Sequence, residues 1–408
     1  MGQSVCGNRG VPVLLRKTRN FLVMVLVTAF TTACVMIIRA LRPLVQIRFG
    51  PLNSRRLGHF AANTELYLCQ RDAGMARQRT IDMFYHTPVI CNQQLRKMWD
   101  RTLHVWHLAH QIDSLNRTLP GYEVHVIPMP SDRDIHGLLA HTPAHLSFTP
   151  EEERLGLAAL RQMGIPDGVP FICFFGRDSA YLDALDTKTD WHYHDYLNVQ
   201  IHNYVSAAEE MTCRGYFAIR MGASVKEALA MTNPMVIDYA TKNRSDFLDI
   251  FLLAKCSFFI GSPSGICAVP MIFRRPLAMV NVVPLEYAAS WSSDYLFIPK
   301  RLWLRAEHRF LTFREVIESR VGRFLKTEEY EQHGIEVIEN APEEITALAV
   351  EMDERLKGTW QTTEEDEELQ RRFWSFFRRS ELHGVFLSRI GAEFLRQNKR
   401  LLNNVANT

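Results

Sequence analysis

The sequence lacks the patterns that mark several common classes of protein. Its eight cysteines are scattered and contain no C-x-x-C pair, which argues against a structural zinc site or a disulfide framework and suits a reducing compartment. The formal net charge is only +2 and the basic residues are spread along the chain, so we expect no nucleic-acid partner. No internal repeat is present. With 408 residues, 47% of them hydrophobic, the chain is long enough to bury more than one core.

Several nucleotide-binding and catalytic motifs are also missing. No G-x-G-x-x-G follows a predicted strand and no G-x-x-x-x-G-K-[ST] occurs, which argues against a Rossmann dinucleotide site and a P-loop. The chain contains neither the G-x-S-x-G of a nucleophile elbow nor the H-E-x-x-H of a zinc hydrolase. We therefore expect neither a metal nor a bound cofactor.

Near the amino terminus, "FLVMVLVTAFTTACVMII" (residues 21–38) contains no charged residue and has arginine or lysine on both sides. As a helix it would be about 27 Å long at 1.5 Å per residue, close to the thickness of the hydrocarbon core. We predict that residues 1–48 form a membrane-associating segment, which either spans the bilayer or lies in its surface. The alternative is a buried core helix.

The pattern of apolar residues over 49–165 predicts a first α/β domain. Helices are expected at 57–68 and 92–106, where apolar residues recur at helical spacing, and strands at 79–88 and 122–130. A further helix begins near residue 150 and is stopped by Gly164 and Pro166.

Residues 166–330 alternate short apolar runs with amphipathic segments, which predicts crossover connections and a mostly parallel sheet. The expected strands and helices are strands at 171–176, 216–222, 235–240, 257–261 and 277–284, and helices at 203–215, 245–256 and 264–273. From residue 301 the chain is predicted to be mostly helical, and residues 331–408 are interpreted as a helical tail that packs back on the domains. Its segment "RRFWSFFRR" (371–379) could instead contact lipid headgroups.

Three turns follow predicted parallel strands at their carboxyl ends, where open α/β sheets bind ligands. These turns carry small, polar or basic residues, namely Arg177, Asp178 and Ser179, then Arg220 and Gly222, and then Gly261, Ser262, Ser264 and Gly265. Glycines allow close approach of the backbone, a serine can cap the following helix, and arginines suit a diphosphate. The turns together predict an anionic ligand. Each alone also fits a capped helix or a surface ion pair.

Five segments carry a resemblance to bacterial glycosyltransferases of surface-polysaccharide gene clusters, a family distantly similar to fucosyltransferase-type GT-B enzymes. The resemblance spans roughly residues 40–400, and the segments are "RLGHFAANTELYLCQRDAG", "NQQLRKMW", "FGRDSAYL", "YFAIRMG" and "SDFLDIFLLAKCSFFIGSPSGICAVPMIF". It implies an α/β, GT-B-like fold, in which two Rossmann-like domains face each other behind the amino-terminal hydrophobic helix. The carboxyl-terminal domain would hold a nucleotide-sugar and the other would offer the acceptor face.

The resemblance also implies roles for particular residues. Arg177 would contact the donor pyrophosphate, and the other donor-side candidates are Arg220, Gly261, Ser262, Ser264 and Gly265. His59 and Asn63 would face the cleft from the acceptor side. Family members have His-Val before the Arg-Asp pair, whereas this chain has Phe175 and Gly176, which puts donor or acceptor positioning in question.

Glycosyl transfer with inversion needs a base on the acceptor hydroxyl, and the candidates are Glu65, Asp178 and His59. Their structural alternatives are a carboxylate on a helix surface, an ion pair with Arg177, and a packed histidine. The predicted reaction moves a sugar from a nucleotide-sugar to a free or lipid-linked saccharide at the cytoplasmic face of the inner membrane, and the arginines are expected to stabilise the leaving diphosphate without a metal. Two rivals remain open: a non-catalytic, membrane-tethered binding component and a GT-B-like epimerase.

Overall fold

The computed structural model of the chain describes residues 10–75, 79–185, 190–242 and 244–403. The first nine residues of the predicted membrane-associating segment therefore lie outside the described residues. The helices are α1 Gly10–Leu41, α2 Leu57–Asp72, α3 Gln93–Thr102, α4 Ala109–Asn116, α5 Pro150–Gln162, α6 Ala180–Leu185, α7 Val205–Cys213, α8 Asp246–Lys255, α9 Ala268–Ile272, α10 Phe313–Glu318, α11 Thr327–Gln332, α12 Pro342–Lys357, α13 Glu364–Trp374 and α14 Ala392–Gln397. The strands are β1 Gln46–Leu52, β2 Thr80–His86, β3 Phe171–Phe175, β4 Phe217–Arg220, β5 Val236–Asp238, β6 Phe259–Gly261, β7 Leu277–Val282, β8 Tyr295–Pro299, β9 Arg301–Leu304, β10 Arg309–Phe310, β11 Ile335–Ile338 and β12 Arg389–Ile390.

The apolar amino-terminal run forms part of α1. Its stretch Met24–Leu41 is long and apolar enough to cross a membrane, and only 11% of that stretch is buried against the rest of the protein. Within it, the hydroxyls of Thr28, Thr31 and Thr32 donate to backbone carbonyls one turn earlier, so these polar groups are satisfied without water. The mostly exposed surface disagrees with the alternative of a buried core helix.

The last turns of α1 are attached to the body of the protein. Val35 is 2% exposed and packs in a small cluster with Ile112 of α4. Arg39 donates from Nε to Asn116 Oδ1 at 2.9 Å and from Nη1 to the carbonyl of Pro120 at 2.8 Å. The end of the helix is thus held against α4.

Residues 49–165 form a smaller α/β region than the sequence predicts. β1 and β2 pair in parallel over seven residues each, and only single bridges add to them, at Phe49–Val126 and Phe84–Val105. The prediction of a strand over 122–130 is wrong, because Tyr122–His125 form a 3-10 turn behind Gly121 at φ +75°. The predicted helix over 92–106 ends at Thr102, where the chain becomes extended.

The dominant feature is a seven-stranded, all-parallel sheet in the order β12-β8-β7-β6-β3-β4-β5. Side chains of β3 alternate between its two faces: Ile172 and Phe174 belong to one buried cluster, Phe171 and Cys173 to the other. Helices α7 and α12 cover the first face, and α8 and α9 the second. The predicted α/β class with crossover helices is confirmed.

The region after residue 301 is less helical than predicted. β9, β10 and β11 form a small antiparallel sheet, and β12 adds a strand to the edge of the main sheet. The aromatic residues of 371–379 pack inward, since the fully buried Phe373 contacts the rings of Phe297 and Phe313 at 5.8 and 5.0 Å. This packing disagrees with a lipid-facing segment, and the tail lies mainly on the main sheet.

The regions 49–165 and 166–330 share one continuous hydrophobic cluster. Its members include Phe60 and Trp99 from the first region and Ile250 and Val269 from the second. Helix α2 packs along α9. We call this contact between the two regions the junction.

Candidate functional site

The chain order around β3 creates a switch point in the main sheet. From β3 the chain moves to β4 and β5 on one side and then returns to place β6 on the other. Phe175 at the end of β3 pairs with Gly261 at the end of β6. In open parallel sheets, ligands bind beyond the carboxyl ends of strands at this kind of crevice. Two of the three predicted turns therefore meet where the topology favours a ligand.

Arg177 and Ser262 lie side by side at this switch point. The backbone N–H of Arg177 donates to Ser262 Oγ at 3.0 Å, and the Ser262 N–H donates to the carbonyl of Phe175. Within the described parts of the chain, no carboxylate lies within ion-pair distance of the Arg177 guanidinium, although that side chain is half-buried. Burial lowers the pKa of Arg177, and the nearby Arg56 acts in the same direction. Arg177 is therefore a partly desolvated cation without a counter-charge.

Two further cations surround Arg177, and with it we call them the cationic site: Arg56, Arg177 and Lys300. Lys300 is 6% exposed and donates from Nζ to the carbonyls of Tyr196 and Asn198 at 3.0 and 2.8 Å. Burial lowers its pKa to about 8, Glu339 opposes this shift, and Arg177 adds to it. Because no described carboxylate bonds to any of the three side chains, the site favours an anion.

Aromatic residues form one wall of the cationic site. Burial, followed by the charges of Arg177 and Arg56, lowers the pKa of His194 to about 4, so its ring is neutral near pH 7. His194 lies 4.0 Å from the Tyr193 ring and is stacked on Trp191 at 6.4 Å. Neutral aromatic faces beside unpaired guanidiniums suit a ligand that combines an anion with a flat or apolar group.

The turn GSPSG uses its two glycines for packing within the protein. A Cβ at Gly261 would lie 2.4 Å from the ring of Phe259. A Cβ at Gly265 would lie 2.9 Å from the backbone nitrogen of Gly58 at the start of α2, and a Cβ at Gly58 would lie equally close to Gly265. Ser264 precedes the 3-10 turn Gly265–Cys267, but its hydroxyl makes no capping bond to the backbone. The glycines thus allow the two regions to touch beside the switch point.

The Phe175-Gly176 pair departs from the His-Val that the resemblance leads us to expect, and the space around Gly176 is tight in this chain. A Cβ at Gly176 would lie 3.1 to 3.3 Å from side-chain atoms of Ile201, Val199 and Tyr204. The valine of the family pattern would therefore require these three residues to move. Phe175 is only half-buried, and it donates no hydrogen bond to a ligand as a histidine could.

Arg220 is directed into the protein. It is 1% exposed, donates from Nη1 to the carbonyl of Glu227 at 2.7 Å, and lies 3.4 Å from Asp238 Oδ2. A ligand at the switch point would have to displace this ion pair. The arrangement favours a structural role, in contrast to the predicted contact with a diphosphate.

Glu65 is fully buried, which disagrees with the alternative of a helix-surface carboxylate. Its Oε1 accepts from Arg274 Nη2 at 2.6 Å and lies 3.1 Å from His145 Nδ1, while His145 Nε2 lies 2.9 Å from Asp72 Oδ2. We call these four residues the Glu65 network. Burial by itself would lower the pKa of His145, but contact with Cys69, Glu65 and Asp72 raises this pKa to about 10. The network neutralises charge across the junction, so Glu65 is poorly placed to act as a base.

Two members of this network, Glu65 and His145, together with Cys69 form a candidate set of metal ligands among the described residues. Arg274 lies 2.6 Å from Glu65 Oε1 and 3.6 Å from Cys69 Sγ. A guanidinium at these distances already supplies the positive charge that a metal ion would bring. We therefore interpret the set as an ion-pair network.

The sequence also contains one D-x-D, at Asp132 and Asp134, which is a spacing that sometimes holds a metal. Asp134 is 2% exposed, and its two oxygens accept from the backbone N–H groups of Leu138 and Leu139 at 2.9 and 2.7 Å. Its carboxylate is thus used to hold a turn.

Asp178 and Asn63 also bond to backbone groups. Asp178 accepts from the N–H of Ala180 at 2.9 Å and from that of Lys226 at 3.0 Å, so the predicted ion pair with Arg177 is absent. Asn63 donates to the carbonyl of Pro130 at 2.9 Å and leaves its own Oδ1 buried without a partner. Both side chains hold loops that border the junction.

His59 is the remaining candidate base. It lies in the first turn of α2 beside Gly58, whose backbone touches Gly265, and its side chain is half-buried. In the ranges that the structure describes, its ring has no hydrogen-bond or ion-pair partner. Among the three candidate bases, His59 is the one whose side chain makes no hydrogen bond or ion pair with a described residue, so its ring nitrogens can bond to a ligand.

Sequence reasoning missed Arg56, Lys300 and the aromatic wall. Arg56 precedes α2 and Lys300 follows β8, so neither adjoins the predicted turns. The segment "DWHYHDYLNVQIHNY" (190–204) is unusually rich in aromatic residues and histidine, and this was the signal that could have identified the wall.

Comparisons with known proteins give distant structural similarity only. No protein-family profile and no curated protein matches the chain. The ADP-heptose LPS heptosyltransferase II of E. coli aligns with 62% of this chain and 90% of its own at 12% identity and a TM-score of 0.35. A glycosyl transferase family 9 structure from Veillonella parvula aligns with 63% and 86% at 11% identity and a TM-score of 0.40.

A third structure, the iron-containing dodecameric glycosyltransferase TibC of enterotoxigenic E. coli, aligns with 59% of this chain and 62% of its own at 10% identity and a TM-score of 0.33. All three are glycosyltransferases, but at these values the similarity is no basis for assigning an activity. The resemblance to fucosyltransferase-type enzymes and the expected independence of metal stay predictions. The function has to be argued from this chain's own geometry.

Proposed function

We propose that this chain is a glycosyltransferase that binds the diphosphate of a nucleotide-sugar at the cationic site. The observation that supports the proposal most directly is Arg177, a partly buried cation without a counter-charge at the switch point of the sheet. Desolvated guanidiniums bind phosphate oxygens more strongly than exposed ones, since the surroundings screen the charge less. Arg56 and Lys300 add to the same positive field.

In this proposal the protein acts mainly by stabilising the leaving group. The bond from the sugar to the diphosphate breaks, negative charge develops on the departing oxygen, and Arg177 with Arg56 stabilises that charge. His59 is the proposed base, which takes the proton of the acceptor hydroxyl while that oxygen bonds to the sugar carbon. The Trp191–Tyr193–His194 wall would contact the base or the sugar of the donor.

The exposed apolar surface of α1 supports membrane attachment as part of the proposal. A helix whose stretch Met24–Leu41 is 11% buried gains free energy when lipid covers it. Because α1 is held to α4 by Arg39, the cationic site would stay close to the bilayer. We propose a free or lipid-linked saccharide as acceptor, a role in surface-polysaccharide synthesis, and a location at the cytoplasmic face of the inner membrane.

The first test is thermal unfolding of the full-length protein in detergent with ADP, GDP, UDP, CDP and their common sugars. A ligand at 100 times its dissociation constant adds about 2.7 kcal/mol to stability. We expect one nucleotide to raise the melting temperature, and Arg177→Met and Arg56→Met to remove the shift. Arg55→Met is the matched control, since Arg55 is an exposed neighbour. The absence of a shift with every nucleotide would contradict the proposal.

One observation favours a second candidate function, a non-catalytic binding component. Both carboxylates predicted as bases, Glu65 and Asp178, are engaged in contacts within the protein. Transfer of sugar from the bound donor to oligosaccharide acceptors separates the two functions. Turnover that His59→Ala abolishes, with donor binding retained, supports the transferase. Binding without turnover in the unmodified protein supports the binding component.

A further inference from the structure

A cavity lies away from the cationic site, between the turn after β7, helix α10 and the segment that follows α13. Its volume is about 490 Å³, which is within the range that holds small molecules. We call it the arginine cavity, and the residues used below are Arg314, Arg320, Arg323, Arg378, Glu286 and His383. None of them belongs to the cationic site.

Two of the four arginines are neutralised and two are not. Arg323 donates from Nε to Glu286 Oε2 at 2.7 Å, and Arg314 lies 3.2 Å from Glu318 Oε1. Arg320 and Arg378 are exposed, and their guanidiniums have no ion pair or hydrogen bond with any residue that the structure describes. The cavity therefore carries two free guanidiniums, which favours an anionic ligand.

A buried carboxylate oxygen distinguishes this cavity from a simple anion site. Glu286 is 7% exposed, and while Oε2 accepts from Arg323, Oε1 has no hydrogen-bond partner. A buried acceptor left without a donor costs about 1–3 kcal/mol. A fully deprotonated anion such as sulfate offers only acceptors and leaves Glu286 Oε1 unsatisfied, and inorganic phosphate offers few O–H donors at neutral pH, whereas a ligand with several hydroxyl groups can donate to this oxygen.

His383, which also lines the cavity, has a second unsatisfied atom. It is 2% exposed, its Nδ1 lies 3.0 Å from Ser290 Oγ, and its Nε2 has no hydrogen-bond partner. Burial, followed by the charge of Arg133, lowers its pKa to about 4, with the Glu286 backbone acting in the opposite direction. The neutral ring presents Nε2 as a donor or an acceptor, depending on its tautomer. A hydroxyl group can satisfy either tautomer.

We propose that the arginine cavity binds a sugar phosphate, with the phosphate on Arg320 and Arg378 and sugar hydroxyls on Glu286 Oε1 and His383 Nε2. The rings of Phe376 and Phe377 also line the cavity and give an apolar surface for the carbon face of a sugar. This site is separate from the proposed donor site and does not depend on it.

The test is isothermal titration calorimetry on the full-length protein in detergent at low salt. The probes are glucose 1-phosphate, glucose 6-phosphate, mannose 6-phosphate, glucose and inorganic phosphate. We expect at least one sugar phosphate to bind ten times or more tightly than inorganic phosphate, and glucose to bind more weakly than either. The double variant Arg320→Met/Arg378→Met should weaken the sugar phosphate at least tenfold.

The neighbouring Arg379 is the control, because it is exposed but does not line the cavity. Arg379→Met should leave affinity unchanged, and any nucleotide-induced thermal shift should persist in the double variant. Equal affinity for inorganic phosphate and every sugar phosphate would overturn the proposal. So would the absence of sugar-phosphate binding, or binding that the double variant retains.

Discussion

Two groups of cations lie near the junction, and they differ in what surrounds them. In the Glu65 network, Arg274 and His145 share the oxygen of a fully buried carboxylate. In the cationic site, Arg177 and Lys300 have no carboxylate within ion-pair distance among the described residues. The first group has a counter-charge within the fold. The second has no such counter-charge among the described residues, and a bound anion could supply one.

The comparison separates residues that the sequence alone could not separate. Glu65, Asp178 and Arg220 are ionisable residues in the predicted ligand-binding segments, yet each bonds to a partner within the protein. The side chains of Arg177 and His59 are also ionisable, but they make no hydrogen bond or ion pair with a described residue. Availability to a ligand thus depends on hydrogen bonds made by residues that are distant in sequence.

The largest effect on stability should come from Glu65→Gln. Among the described residues, Glu65 is the only carboxylate in contact with Arg274, and breaking a buried pair by removing one partner is typically destabilising by 3–5 kcal/mol. Because Arg274 is 21% exposed, we expect about 3 kcal/mol. Urea unfolding of the full-length protein measures this.

The exposed pair Arg154–Glu151 provides the control for that experiment. Its side chains are 69% and 61% exposed, so Glu151→Gln should leave the unfolding midpoint unchanged. Equal effects of the two variants would show that the Glu65 network contributes no more than a surface pair, and the comparison between the two cation groups would fail.

A smaller loss of stability is expected from Gly58→Ala. The new methyl group would lie 2.9 Å from the Gly265 backbone, so the junction must open slightly, and overpacking of this kind costs about 1–3 kcal/mol. We expect about 1.5 kcal/mol, and a similar loss for Gly265→Ala.

The double variant tests whether the two glycines serve one contact. Once one methyl group has separated the two backbones, the second methyl group meets less crowding. The combined loss should therefore be smaller than the sum of the single losses. Additive losses would show that Gly58 and Gly265 are required for separate reasons.

Much of the main sheet was predictable, because it depends on local patterns. Short apolar runs predict β3, β4 and β6. The positions at which these runs stop place Arg177 and Ser262 at strand ends. The strand predicted over 122–130 failed because Gly121 turns the chain and Pro128 and Pro130 interrupt pairing. The partners of Glu65 were not predictable, since Arg274 reaches it across the junction and His145 reaches it from a part of the same region that is distant in sequence.

The Glu65 network should also give stability a measurable dependence on pH. The pKa of His145 is raised to about 10, so its protonated form stabilises the fold fully below about pH 6.5, the ordinary value, and this contribution is lost as pH rises toward 10. We expect the stability difference between the unmodified protein and His145→Gln to shrink by about 1 kcal/mol from pH 6 to pH 10, given that the partner Asp72 is 43% exposed. A difference that grows with pH would contradict the assignment.

The smallest effect on stability, and the most informative for the comparison, is expected for Arg177→Met. Methionine keeps the apolar part of the side chain and removes a partly buried charge that has no counter-charge, so the free energy of unfolding without ligand should stay within about 0.5 kcal/mol or rise. Affinity for the nucleotide should nevertheless fall at least tenfold, since a hydrogen bond to a charged group contributes about 1.5–3 kcal/mol. A protein that Arg177→Met destabilises as strongly as Glu65→Gln would mean that Arg177 serves the fold, and the distinction between the two cation groups would be lost.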